Sequence, residues 1–169
     1  ELTKEARASL DDLIEEAKSV IQSLASQFGL SFETMQRASI FHEQAQMAMD
    51  ENKLSEVEYF SKEAIKIAPN WNPPHNNRAQ SLYYLGKTTE AIAVSEAVLA
   101  REAENVFALR CLVTYHLGLD QSEKAREYEA MRQEHTQLVQ ERATIRREYD
   151  AKFAEQEKRL AKAEDEHRR

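Results

Sequence analysis

The chain has 169 residues, 23 Lys and Arg against 30 Asp and Glu, a formal charge of −7, and only 3 Gly and 3 Pro among strong helix formers, so an all-α protein able to bury a core is expected. That acidic balance, with a pI near 5.4, argues against non-specific attraction to nucleic-acid phosphates or to anionic lipid. No apolar run approaches the roughly 20 residues of a membrane span, and the opening ELTKEARASLDDLIEEAK holds no signal-peptide core.

Residues 1–30 form the first predicted element. Leu2, Ala6, Leu10, Leu13, Ile14, Ala17, Ile21, Leu24 and Phe28 recur at three- and four-residue spacing, which draws one apolar stripe along a helix. Such a stripe predicts a helix packed on its neighbour. Gly29 follows where a left-handed C-terminal cap would sit.

From residue 31 to 136 the pattern becomes helix, short turn, helix, and a shift of 34 residues lays like over like. Ala45, Ala79 and Val113 coincide as small residues where two helices approach. Asn52, Gly86 and Asp120 coincide at the turn, and all three types tolerate a left-handed backbone or a local side-chain turn. Val57, Ala91 and Ala125 follow, then Ala64 with Val98 and Ile65 with Leu99. Ser55 with Glu58, and Asp120 with Glu123, have capping-box spacing at the start of second helices. Pro69, Pro73 and Pro74 in APNWNPPH stop one unit and start the next.

A 34-residue helix-turn-helix with small residues at fixed offsets, clearest in NNRAQSLYYLGKTTEAI and NVFALRCLVTYHLGLDQSEKARE, resembles the tetratricopeptide repeat family over about 100 residues. Three units are expected. Phe41, His75 and Leu109 stand where that family has a Trp, Gly118 falls two residues earlier than Gly86 does, which predicts a longer third turn, and Arg132 replaces a small residue. The resemblance implies a right-handed superhelix of helical hairpins, flanked here by the N-terminal packing helix and a C-terminal helix.

Residues 137–169 contain no Gly or Pro, and Leu138, Ile145, Tyr149, Phe153 and Leu160 make only a thin stripe. A charged helix extending from the last repeat is the first reading. Coiled-coil pairing with another chain, which would make a homo-oligomer, and a frayed tail are the alternatives.

No catalytic signature is present: no Gly-rich phosphate loop, nucleophile elbow, HExxH or paired Glu-x-x-His. The single such tetrad, Glu164 to His167, sits in the charged tail, where two ligands on an exposed helix hold a metal weakly. A non-enzymatic protein without cofactor or metal is expected. His42, His75, His116, His135 and His167 do not cluster, although His42 and His75 share nearly one repeat offset and could face one groove. The lone Cys111 cannot make an internal disulfide, reads as a small helical residue, and suits a reducing compartment. The cytoplasm is the expected location.

First helices of such units line a concave surface in the family, so the resemblance places its peptide-binding rows here. His42, Asn76 and Arg110 form one row, Gln46, Gln80 and Thr114 a second, and Met49, Tyr83 and Leu117 a third, with Glu43, Asn77 and Cys111 alongside. His42, Gln46, Asn76, Asn77, Gln80, Tyr83, Arg110 and Thr114 are the candidate contacts. Amide side chains can hydrogen-bond a peptide backbone, Tyr83 can cover an apolar side chain and Arg110 can take a carboxylate. His42 and Gln46 stand where the chaperone-tail clamp of the family wants Lys and Asn, which argues against that specialised role. The expected function is binding a peptide or helix of a partner protein. A self-associating scaffold, or a regulatory domain cut from a larger protein, is the alternative.

Overall fold

Four residues punctuate the chain. In the computed structural model, which describes the backbone of residues 3–167 and the side chains of residues 3 and 8–159, Gly29, Asn52, Gly86 and Asp120 take φ of 65°, 56°, 77° and 56°. Each closes a helix in the same way: the amide one residue further on donates back five residues, Leu30 to Ala25, Lys53 to Ala48, Lys87 to Leu82 and Gln121 to His116, at 2.8–2.9 Å. These are Schellman closures, and they need a left-handed residue to reverse the backbone. The described residues are thereby divided into α1 (Lys4–Phe28), α2 (Phe32–Asp50), α3 (Leu54–Ile67), α4 (Asn72–Tyr84), α5 (Thr88–Arg101), α6 (Val106–Leu117) and α7 (Ser122–His167), with no strand among them. None of these helices is long and apolar enough to cross a membrane.

A Cβ added at Gly86 would meet nothing within 4 Å, so backbone strain alone sets the cost of substitution there. Gly86→Val should lose about 1–2 kcal/mol, while Gly86→Asn, the residue type already held by Asn52 at φ 56°, should lose less. Urea midpoints of the two variants check this ordering. Gly118, the other glycine near the third turn, keeps a helical φ of −63°. Its bare Cα instead makes room for the Tyr83 hydroxyl, which would lie 3.2 Å from an added Cβ. The third turn, 118–121, is one residue longer than 51–53 and 85–87.

The capping boxes expected at Ser55–Glu58 and Asp120–Glu123 do not form. Ser55 already lies inside α3, whose cap Lys53 offers no side-chain bond, and Asp120 is committed to the left-handed turn. Side-chain caps come from Ser31, which accepts from the Thr34 amide at 3.2 Å, and Asn105, which accepts from the Ala108 amide at 2.9 Å. Pro73 and Pro74 occupy the first turn of α4, where the missing N–H costs nothing.

The pairs α2–α3, α4–α5 and α6–α7 pack as consecutive hairpins. Backbone contacts also join α2 to α4 and α4 to α6, whereas none joins α3 to α5 or α5 to α7 among the described residues. The expected small residues do sit at the contacts: Ala45, Ala79, Val57, Ala91, Ala125, Ala64 and Val98 are all buried, and only Val113 of that set is half-buried. Ala79, Leu82 and Ala91 form one core with Cys111 and Tyr115, tying the second hairpin to the third.

α1 departs from expectation. Only its last two turns pack, with Ile21, Leu24, Ala25 and Phe28 against Met35, Ala38 and Trp71; Leu10, Leu13, Ile14, Ala17 and Val20 remain exposed. Among the described residues the backbone of α1 comes close to that of α2 alone, and the exposed side chains of its first half, Leu13 and Val20 among them, stand over an open cleft against α2 instead of packing into it. Leu2 lies outside the described residues, and the side chain of Ala6 is likewise undescribed. At the other end, α7 runs unbroken through residue 136, so the boundary drawn there marks where packing thins and not a break in the helix.

Candidate functional site: the face of α2, α4 and α6

On α4, Gln80, Tyr83 and Tyr84 share one face at offsets of zero, three and four, and on α6 Phe107, Arg110, Cys111 and Thr114 share another at zero, three, four and seven. Because α4 and α6 touch, these two faces meet around a cavity of about 240 Å³, floored by Tyr115. Tyr83 stacks on Tyr115 with ring centroids 4.6 Å apart and lies 5.7 Å from Tyr84. The Arg110 guanidinium sits over the Phe107 ring at 5.0 Å, and no carboxylate pairs with it among the described residues. A cation–π contact pre-orders the guanidinium while leaving its N–H fork open to an acceptor.

The floor is chemically quiet. Burial pushes the Cys111 thiol and the Tyr115 phenol up from their ordinary values, so both stay protonated. The Tyr115 hydroxyl has no nitrogen or oxygen partner and faces the Cys111 thiol, a weak hydrogen-bonding group. A protonated, buried thiol is a poor nucleophile. Among the described residues no three His, Cys, Asp or Glu side chains are placed to hold a metal ion; the side chains of Glu164 and His167 lie outside those described.

The eight candidate contacts fall into three groups. Gln80, Tyr83, Arg110 and Thr114 line the 240 Å³ cavity. His42 and Gln46 instead line a cleft of about 430 Å³ where α1 diverges from α2, together with Leu13, Val20 and Glu43. Asn76 is buried, with Oδ1 lacking a partner, and half-buried Asn77 donates from Nδ2 to His42 Nδ1 at 3.2 Å, so neither amide lines the cavity that holds Gln80 and Tyr83. Met49 packs with Ala45 and Val57, whereas Leu117 is exposed. His75 bonds through Nε2 to the Pro69 carbonyl at 2.8 Å and does not join His42. A larger cavity of about 680 Å³, between the ends of α1 and α5 beside Trp71, contains no residue of the recurring rows.

No protein-family model matches this chain, and no curated protein matches it.

The 34-residue shift does not mark Phe107, Tyr84 or Tyr115, because the residues one unit earlier, Pro73, Asp50 and Ser81, differ in kind. Helical spacing does better for one of them: Phe107 stands three residues before Arg110, on the same face of α6.

His42 rests edge-on against Trp71, centroids 4.9 Å apart. Burial lowers its pKa, and burial also lowers that of His75. Protonation would turn the acceptor Nδ1 of His42 into a donor and break the Asn77 bond. A folded-state pKa below the unfolded 6.5 gives stability that is whole above about pH 6.5 and is lost as pH falls from there through the folded value. Urea unfolding between pH 7.5 and 5 should show that fall, and His42→Gln should remove part of it, leaving the share due to His75.

Proposed function

We propose that this chain is a non-catalytic interaction module of tetratricopeptide type, which binds a peptide or helical segment of a partner protein across the face of α2, α4 and α6. The observation that carries this reading is the meeting of Tyr83 and an exposed, carboxylate-free Arg110 from adjacent helices around one open cavity. Tyr and Arg are the residue types that most often anchor protein interfaces. The contacts are consistent with it: among the described residues backbone contacts join α2 to α4 and α4 to α6 but not α3 to α5 or α5 to α7, the inequality that a superhelix curved toward the proposed binding face would require. Left-handed turn residues at Asn52, Gly86 and Asp120, 34 residues apart, support the family reading. The unpaired Cys111 fits a cytoplasmic setting.

Affinity capture from native lysate, with the chain as bait and Arg110→Ala and Glu90→Ala as paired controls, tests this. Proteins retained by wild type and by Glu90→Ala, an exposed α5 variant, should be lost with Arg110→Ala. Equal retention by all three baits would move the site elsewhere.

A further inference from the structure

α7 carries an apolar surface that its hairpin does not use. Met131, Leu138, Ile145, Tyr149 and Phe153 are 43–71% exposed, and at 3.6 residues per turn they lie within an arc of about 80°. Of the residues turned toward the array, Ala125 is buried and Tyr128 and His135 reach Glu96 and Glu104; they centre roughly 70° away on the same helix. The stripe therefore stays clear of α6, and beyond residue 136 it projects past the hairpin.

The residues flanking this stripe select what can cover it. With Leu138 and Ile145 at heptad position d and Arg142 and Tyr149 at a, the g positions are Glu134, Glu141, Glu148 and Glu155, while the e positions are Arg132, Val139, Arg146 and Phe153. One flank is acidic throughout. An antiparallel copy would set g against g, carboxylate on carboxylate. A parallel, in-register copy sets each g against the e of the next heptad, so Glu134 meets Val139, Glu141 meets Arg146 and Glu148 meets Phe153, which removes the like charges from the flanks and leaves them at two seam positions, where Arg142 faces Arg142 and Lys152 faces Lys152 of the second copy. We propose that α7 pairs in parallel with α7 of a second copy of this chain, along a seam from Leu138 to Gln156 about 27 Å long.

The seam is half polar. Arg142 and Gln156 at a positions, and Lys152 at d, weaken the pairing, and polar a residues of this kind fix its register. Two of the g carboxylates already have partners on their own helix, Glu141 with Gln137 at 2.9 Å and Glu155 with Arg159 at 2.6 Å, which further limits the gain. The pairing is thus a concentration-dependent association, and it rests on neither the groove nor its ligand. Its consequence is avidity: two grooves carried on one parallel stalk engage a bivalent partner together.

Sedimentation equilibrium of the full chain over a concentration series tests the proposal. A reversible monomer–dimer equilibrium is expected. Arg146→Glu should weaken it by about tenfold, since both symmetry-related pairs turn from attraction to repulsion, and Glu141→Arg combined with Arg146→Glu should restore it. These side chains are exposed, and circular dichroism verifies that the variants keep their helix. Orientation has its own readout: Ile145→Cys should give a covalent dimer on mild oxidation, because identical d residues face one another only in the parallel form, whereas wild type, with its buried Cys111, should not. A chain monomeric at every concentration up to about 1 mM, a dimer indifferent to Arg146→Glu, or a dimer in which Ile145→Cys fails to cross-link would overturn it.

Discussion

Leu82→Ala should destabilise the fold by about 2–5 kcal/mol, the range for emptying a fully buried leucine site. Leu82 is 0% exposed and shares a core with Ala79, Ala91, Cys111 and Tyr115, so it belongs to a cluster drawn from three helices and two hairpins. The buried members of that cluster are two alanines, a cysteine and a tyrosine already stacked on Tyr83, and Ile92 and Val94 at its margin are the aliphatic side chains that could relax toward the vacated volume. A loss of about 3 kcal/mol lowers the melting midpoint of a chain this size by roughly 6–12 °C. The comparison is Leu13→Ala: Leu13 is 62% exposed on α1 and should cost under about 0.5 kcal/mol. Both changes remove the same atoms, so differential unfolding of the two variants isolates packing from helix propensity. Equal losses would mean that the first half of α1 is covered.

The second large effect is on binding. Once capture identifies a partner, Arg110→Ala should weaken it by roughly thirtyfold, equivalent to about 2 kcal/mol, the threshold for an interface hot spot. Arg110 is exposed and held over Phe107 at 5.0 Å, so its removal takes away an anchor without opening the core. Tyr83→Ala should weaken binding as much, but because Tyr83 stacks on buried Tyr115 it should also lower the melting midpoint, and the two effects separate by titrating at a temperature where both variants remain folded. Glu90→Ala should leave the affinity within about twofold of wild type. A partner that binds Arg110→Ala as tightly as wild type would place the interface outside the cavity.

The exposed half of α1 matters for how this face is used. Leu13 and Val20 form one wall of the cleft whose other wall includes His42 and Gln46, and Glu16 and Glu43 lie at its lining. The apolar stripe and the candidate rows thus adjoin, although they arise from different elements.

What the sequence by itself determined is local. Helix ends and turn conformations depend on a few neighbouring residues, which is why Gly29, Asn52, Gly86 and Asp120 stand out in the sequence as turn positions; of the options open to them, all four take the left-handed backbone. Small residues recurring at 34-residue offsets likewise marked Ala79, Ala91 and Ala64 as contact positions, and they are buried. The tertiary structure decided everything that depends on what stands opposite. Asn76 and Arg110 occupy equivalent offsets, yet Asn76 is buried and Arg110 exposed: within the layer of α2, α4 and α6, among the described residues, α4 has backbone contacts to both α2 and α6, whereas α6 has such a neighbour only in α4. His42 is engaged by Trp71 and Asn77, residues 29 and 35 positions away, and lines the cleft beside α1 instead of the cavity. The stripe of α1 shows the same limit most directly: periodicity reports that a face is apolar, and only the packing of other elements fixes whether that face is covered.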